Sequence, residues 1–548
     1  MLADVSPVFH AGLPRRSQLT RHLIMALYTR KRARRSLFDT VTFRAISQIA
    51  TVLGYIVMVR GMSEQDFGIF NLLYAFIPVV GTISSFGLEQ TLRRFQPEYL
   101  GSENPVAAAW LVRFVASARF AINIVVIAIV LLAWNLIAPL FKLTPYRVEF
   151  VYFCVLMLLF FQSRVLQITL AAHMLHRFSV GSTAVLSIAK LVAYASLFWL
   201  DRFTLQNAIF VEILATGLSY ASLKWAHHRF CRLPSPAPKH RPPPEDRKRM
   251  LRYAFFNQFN DAGTMLLSTR ADNLFIAALM NPIAVGTYSF YVRLNQMVHH
   301  LLPMSVFEND IQPLFFAIPP DEAKRRLPRY FSLLVNANLL LLLPVTAYAA
   351  VYHSDIVTVL FGGKFVESSW LLPLIVGFTT VNIIATPVTL VAQYAEKISI
   401  ILLSKVFVIY NVIAILVLVP IVGVFGAAIA HGTAQLMKNL FIWWYVRRTA
   451  RWTNFRAVMT MSLLIWGTVV AVGYGLKAVI NVPPIVQMAL GIVVCGLAWL
   501  FYVRSPALSQ SDREILAGVL HGREARILRW LGVFPQGKMR SNSTQSDD

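Results

Sequence analysis

Long apolar runs, broken at near-regular intervals by short polar or glycine-bearing turns, dominate this chain from residue 37 to residue 503. A helix crossing ~30 Å of hydrocarbon needs about 20 mostly apolar residues. On that rule the pattern predicts fourteen spans: 37–59, 68–92, 113–139, 148–172, 178–200, 204–225, 252–278, 285–312, 329–353, 369–394, 397–420, 423–446, 456–478 and 482–503. The expected fold class is therefore an all-α polytopic membrane protein. Composition agrees, since 57% of the 548 residues are hydrophobic and only 14% are charged, too apolar a balance for a soluble protein of this length.

Charge orients the pattern. With both termini cytoplasmic and residues at span ends counted with their loops, the inner loops and tails hold 36 of the 51 Lys and Arg. The outer loops hold six: Arg60, Lys142, Arg147, Arg202, Lys364 and Lys477. The reverse orientation would place the dense clusters outside, against the positive-inside tendency. Topology thus accounts for the net charge of +25, and no nucleic-acid partner is expected, because the aromatic residues lie inside apolar spans and not among the basic clusters. The basic stretch "TRKRARRS" (29–36) leads into the first span without a short apolar core and small-residue cleavage site, so that span is expected to be retained. Cys154, Cys231 and Cys495 stand far apart with no His or Cys at ligand spacing, so the reading includes no disulfide framework, metal site or cofactor.

The largest break is "HHRFCRLPSPAPKHRPPPEDRKRM" (227–250), a proline-rich basic segment expected to be an extended cytoplasmic linker. On its two sides the chain repeats at an offset of about 218 residues. "GMSEQDFGIFNLLY" (61–74) overlies "LMNPIAVGTYSFYV" (279–292), aligning Met62 with Met280, Gly68 with Gly286 and Phe70 with Tyr288. Residues 511–534 and 15–35 read as basic amphipathic helices lying on the inner leaflet.

Four segments carry a resemblance to a known family. They are "SEQDFGIFNLLYAFIPVVGTISSFGLEQTLRRF" (63–95), "ADNLFIAALMNPIAVGTYSFYVRL" (271–294), "VLFGGKFVESSWLLPLI" (359–375) and "VPIVGVFGAAIAHGTAQL" (419–436). In register, these resemble the O-antigen-type (Wzx-like) polysaccharide flippases of the multidrug/oligosaccharidyl-lipid/polysaccharide exporter superfamily. The resemblance implies two pseudosymmetric six-helix lobes around a cavity that opens alternately to each side, followed by two further helices. The chain would then divide into a basic cytoplasmic segment (1–36), an N-lobe (37–226), the linker (227–250), a C-lobe (251–446), spans thirteen and fourteen (447–503) and a cytoplasmic tail (504–548). It also implies a bacterial inner-membrane location and a polyprenyl-diphosphate-linked oligosaccharide as substrate, destined for lipopolysaccharide or exopolysaccharide. Membrane lipids, a polysaccharide polymerase and a chain-length regulator are the partners it suggests. Lipid II flippases share an Arg in the eighth helix, matched here by Arg293 in "YVRL".

Nine basic residues fall inside the predicted spans: Arg44, Arg113, Arg119, Arg164, Lys190, Arg270, Arg293, Lys405 and Lys438. A charge at bilayer depth faces a partner or a wet cavity. The acids available are Asp39, Glu89, Glu212, Asp261, Asp272, Glu308 and Asp310, several of them near span ends. The excess of cations suits a diphosphate, which Arg meets with planar, forked donors. Arg44, Arg119, Lys190, Arg270 and Arg293 are the candidate substrate contacts, and Glu89, Glu212, Asp261 and Asp272 the candidates for ion coupling or salt bridging. Snorkelling is the plainer reading for Arg113, Arg164 and Lys438, near span ends. Asp272 and Arg293 flank a hairpin with their midpoint in the "NPI" loop, which predicts equal depth. Two readings stay open there, a mutual salt bridge or an Arg293 that lines the cavity. Pro78, Gly81, Pro303, Pro344 and Pro387 interrupt helices as kinks or hinges.

Function is expected to be transport without covalent chemistry, so no catalytic residues are assigned. A polymerase, ligase or glycosyltransferase of the same pathway would call for a large outer loop, whereas the longest outer segment expected is 354–368. A multidrug exporter would suit a more acidic or aromatic cavity.

Overall fold

A computed structural model describes residues 30–101, 104–173, 175–231, 244–299, 320–507 and 513. The proposed tail helix at 511–534, the helix at 15–35 up to residue 29, the middle of the linker, Pro303, Glu308 and Asp310 lie outside the described residues. Apart from short 3-10 turns, the described secondary structure is α-helical.

The first half comprises α1 (Arg30–Gly61), α2 (Glu64–Ser85), α3 (Leu88–Gly101), α4 (Pro105–Leu132), α5 (Trp134–Leu140), α6 (Arg147–Ala172), α7 (His176–Trp199) and α8 (Leu205–Phe230). After the linker come α9 (Pro244–Leu266), α10 (Thr269–Leu279), α11 (Pro282–His299), α12 (Pro320–Phe361), α13 (Leu371–Val381), α14 (Ala385–Tyr394), α15 (Ile398–Leu403), α16 (Phe407–Val422) and α17 (Val424–Val446). Two more, α18 (Phe455–Val479) and α19 (Pro484–Arg504), pack on α12. The described part of the first helix starts at Arg30, so residues 30–36 of the basic stretch are helical. Helix α12 runs on to Phe361 through a non-helical Tyr352, which shortens the outer segment expected at 354–368.

Among the described residues, ten helical segments are long and apolar enough to cross a membrane. The expected spans at 204–225, 252–278, 285–312 and 423–446 are largely helical over their described residues, the second of them in two pieces, but fall outside that set. Those four carry Glu212, Asp272, Arg293 and His431. Polar groups turned toward other helices lower the hydropathy of the segments that hold them, and these are the segments to search for a site.

The helices form two lobes. In the first, α1 packs on α7, and α6 and α7 on α8; in the second, α16 packs on α17, and α12 and α17 on α13. The lobes meet where α2 crosses α11. A Cβ on Gly286 would stand 3.0 Å from the Cα of Gly68, and a Cβ on Gly68 would collide with the carbonyl of Pro282. Small residues let membrane helices bring their backbones together. The two glycines aligned by the sequence repeat are thus in contact across the pseudosymmetry axis.

Of the expected prolines, Pro387 stands in the first turn after a break, since the span 369–394 splits at the 3-10 turn Asn382–Ile384. Helix α2 continues through Pro78, and α12 through Pro344. The second span turns instead at Phe86 and Gly87, with φ of 43° and 67°, a conformation that suits glycine. A Cβ on Gly87 would also strike the backbone of Ala254 on α9.

Candidate functional site

The seventh span is interrupted between Leu266 and Thr269. Ser268 ends one helix by donating to the Met265 carbonyl at 2.6 Å and starts the next by accepting from the Ala271 amide at 3.3 Å. The N-terminus of α10 therefore lies 11 residues, or roughly 16 Å, below the α10–α11 turn, near the middle of a ~30 Å bilayer core. A half-helix N-terminus at that depth presents unpaired amides and positive partial charge, which favour an anion.

Arg270 stands in the first turn of α10 and is solvent-accessible. Arg293 on α11 lies within electrostatic reach of it, and Tyr74 on α2 lies within reach of both. Among the described residues, no carboxylate comes within ion-pair distance of either arginine. The side-chain contact of Arg293 is the Gln296 amide oxygen, at 3.4 Å.

The other candidates are held differently. Arg119, 2% exposed, donates from Nη2 to Glu89 at 3.0 Å and stacks on Phe161 at 5.0 Å. Arg164 reaches the same carboxylate at 3.5 Å, so Glu89 lies between two arginines. Lys190 binds Glu212 at 2.5 Å, and Tyr74 and Tyr194 donate to the same carboxylate at 2.5 and 2.6 Å. Asp261 accepts from Gln90 and sits near Lys405, whose ammonium donates to Thr264 at 2.7 Å. Arg44 is on an exposed stretch of α1. The structure brings Arg270 and Arg293 together, and places Arg119 and Lys190 in ion pairs within the first lobe.

Asp272 is fully buried and does not meet Arg293. It accepts from Tyr288 Oη at 3.0 Å and Asn411 Nδ2 at 3.2 Å, and His431 Nδ1 stands 2.9 Å away, off the axis of a hydrogen bond. The hairpin register explains the difference. Asp272 bonds Tyr288 and Asn273 bonds Ser289, so the midpoint falls at Met280–Asn281, about two residues before the midpoint of Asp272 and Arg293. Arg293 lies five residues beyond Tyr288, about 7.5 Å deeper than the carboxylate. Asn411 and His431, neutral at sequence level, were invisible to a search for charges alone.

Two cavities adjoin this region. One, of about 270 Å³, lies between α11, α12, α13 and α17 and includes Thr269, Gln296 and His431 in its wall. The other, of about 1060 Å³, is largely apolar, lies between α12, α17 and α18, and has Arg447, Arg451, Trp443 and Trp452 at one end.

The end of the bundle bearing the α1–α2 turn, called distal here, is closed by contacts between lobes. Lys364 donates to the carbonyls of Val59 and Arg60, both at 2.8 Å, and of Met62, capping the last turn of α1. Lys142 donates to the carbonyl of Met280, the cap of α10. Each lysine follows the third span of its lobe and reaches the turn after the first span of the other, where the helix dipole favours a cation. Arg60 donates to the carbonyls of Leu360 at 2.8 Å and Val359 at 2.6 Å. Beneath them Phe67 packs on Phe365 at 5.5 Å, and Tyr55 on Phe290 at 6.3 Å and Phe361 at 6.1 Å. At the opposite, proximal end Arg249 grips Glu98 with two bonds of 3.0 and 3.1 Å. Replacing Lys142 and Lys364 together with Met is expected to raise maleimide labelling of a cysteine at Asn71 from the distal side severalfold. Unchanged labelling would mean that the aromatic layer alone seals that end.

The fold and these contacts define a class: a polytopic α-helical membrane protein of two pseudosymmetric lobes, with an arginine pair between them. The sequence profile of the polysaccharide biosynthesis protein family matches residues 34–307, and the chain belongs to that family. No curated protein matches its sequence significantly. Among solved structures it is similar to a lipid II flippase, MurJ, in an inward closed conformation, at 11% identity and a TM-score of 0.64 over 84% of this chain and 98% of that one. It is also similar to an inward-facing multidrug resistance MATE family transporter of the MOP superfamily, at 12% identity and a TM-score of 0.60 over 75% and 98%. At such identities these two likenesses concern the fold alone.

Proposed function

We propose that this protein is a flippase that carries a polyprenyl-diphosphate-linked oligosaccharide across the bacterial inner membrane, for surface polysaccharide assembly. The observation that carries the reading is the pair Arg270 and Arg293, at bilayer depth beside a helix N-terminus and without an acid partner among the described residues. Cations left uncompensated in so costly a place call for an anionic ligand, and a diphosphate supplies one. The fold shared with a lipid II flippase supports the same class of cargo. Helix order and the distribution of Lys and Arg support cytoplasmic termini, which makes the distal end periplasmic.

In this reading the head group enters from the proximal side and the diphosphate settles between the arginines. The lipid chain stays in hydrocarbon, where the apolar cavity capped by Arg447 and Arg451 offers it a wall. Opening the lysine-capped distal end releases the head group outward. The buried carboxylates Asp272 and Glu212 join several helices each and are the places where a coupling ion could act; Glu89 and Asp261 do the same nearer the proximal end. An exporter of cationic drugs is disfavoured by the arginine pair. Purified protein in proteoliposomes should translocate labelled polyprenyl-diphosphate-oligosaccharide, and failure to do so under an ion gradient or a membrane potential would overturn the proposal.

A further inference from the structure

The 270 Å³ cavity reaches residues that adjoin the arginine pair. Thr269, which precedes Arg270, lies in its wall, and so does Gln296, which bonds Arg293. From there it runs into the second lobe, and no Asp, Glu, Lys or Arg lines it. Carboxamides line it instead: Asn295, Gln296, Asn338, Asn382, Gln435 and Asn439.

Their bonding is selective. Asn295 Oδ1 accepts from Thr379 at 3.0 Å, Gln296 Oε1 from Arg293, and Gln435 Oε1 from Lys438 at 2.7 Å. Three amide oxygens are thereby occupied, and no protein atom among the described residues accepts from the NH₂ groups of these three residues. Asn439 is the opposite case, since its Nδ2 donates to Asn382 at 2.9 Å and its Oδ1 stays available. The wall thus offers several carboxamide donors and an acceptor beside His299 and His431, with Tyr288 and Phe378 as apolar surface. Among the described residues no group of three or more His, Cys, Asp or Glu could hold a metal ion, and a second phosphate would call for cations. Hydroxyl groups, each both donor and acceptor, match such a mixed wall. The volume is near the lower end of ligand pockets, which start at ~300 Å³, and suits about one pyranose ring.

We infer that this cavity is a subsite for the sugar attached directly to the diphosphate, and that Asn295 and Gln435 select it. The inference rests on the proposed function, in that it places the diphosphate at the arginine pair. A lipid whose first residue is a neutral, hydroxyl-rich sugar would seat that residue among the carboxamides while its phosphates stay at the arginines. A site built to bond hydroxyls rejects a ligand that lacks them, because its own polar groups would then be desolvated without partners.

The test measures affinity of purified protein in nanodiscs for polyprenyl diphosphate with one attached hexose and for polyprenyl diphosphate alone. Wild type should prefer the sugar-bearing lipid by about tenfold or more. In Asn295→Leu the preference should fall to within about twofold of unity, while affinity for the bare diphosphate is kept; Thr379 retains its bond to the Ile375 carbonyl, so the helix packing is preserved. Gln435→Glu keeps an acceptor for Lys438 but removes the donor, and gives a second reading should Asn295→Leu bind neither lipid. A preference unchanged in Gln435→Glu, or equal wild-type affinity for both lipids, overturns the subsite. Wild type that binds neither lipid overturns the proposed function itself.

Discussion

Alanine at Arg293 is expected to cut the initial rate of lipid translocation in proteoliposomes by at least tenfold, and alanine at both Arg270 and Arg293 to abolish it. A hydrogen bond to a charged group contributes about 1.5–3 kcal/mol, so losing one set of guanidinium contacts to a diphosphate costs roughly a factor of 10 to 100. Arg293→Lys should recover part of the loss, because it keeps the charge but not the planar fork. The contrast with Arg119 and Lys190 gives the measurement its force. Those two are paired with Glu89 and Glu212, so Arg119→Ala or Lys190→Ala should act first on stability, by about 3 kcal/mol, through the carboxylate left behind. Thermal unfolding in detergent beside the flux assay separates the two classes. If Arg293→Ala transports at the wild-type rate while Lys190→Ala folds normally and does not transport, the roles assigned here are reversed.

The second large effect is expected at Gly68. Its missing Cβ is what allows α2 to lie against the Pro282 carbonyl of the opposite lobe, and a backbone group cannot move aside as a side-chain tip can. Gly68→Leu should hold the distal end open, with transport falling more than tenfold and a cysteine at Asn71 labelled rapidly from that side. Overpacking of this kind costs about 1–3 kcal/mol in a well-packed core, so the variant should still fold and be recoverable from the membrane. Gly286→Ala, whose Cβ would stand 3.0 Å from the Gly68 Cα, should show the same effect more weakly. Wild-type flux in Gly68→Leu would show that the lobes do not close at this crossing.

Much of the architecture was legible because hydrocarbon imposes a simple rule. Runs of about 20 apolar residues could be located, and a repeat aligned Gly68 with Gly286, though their contact was not legible from it. Of the charges inside such runs, Glu212 and Asp272 are buried and Arg293 is half-buried. Which charge meets which was not legible, because pairing depends on the rotation of each helix and the register of each turn. A midpoint misplaced by about two residues was enough to set Arg293 level with Asp272, when the carboxylate is in fact served by Tyr288, Asn411 and His431. Counting charges also passed over the neutral amides of the second-lobe cavity, although an Asn or Gln in a membrane helix needs partners just as an Arg does. Lys142 and Lys364 were counted as loop charges that orient the chain. Their contacts with carbonyls of the other lobe span 138 and 302 residues of sequence, beyond the reach of any local pattern.

Those two lysines carry a consequence for how the chain arose. Each half supplies one ammonium and one helix end, and the ammonium of each half reaches the helix end of the other. In a symmetric dimer such a contact is isologous: the same surface serves as both key and lock. If each half holds the six spans that the hydropathy pattern predicts, both halves enter the membrane facing the same way and the axis relating them runs along the membrane normal. A half-length ancestor carrying one lysine and one such turn could have sealed itself by meeting a second copy, and fusion through the linker would then have made a dimer interface permanent.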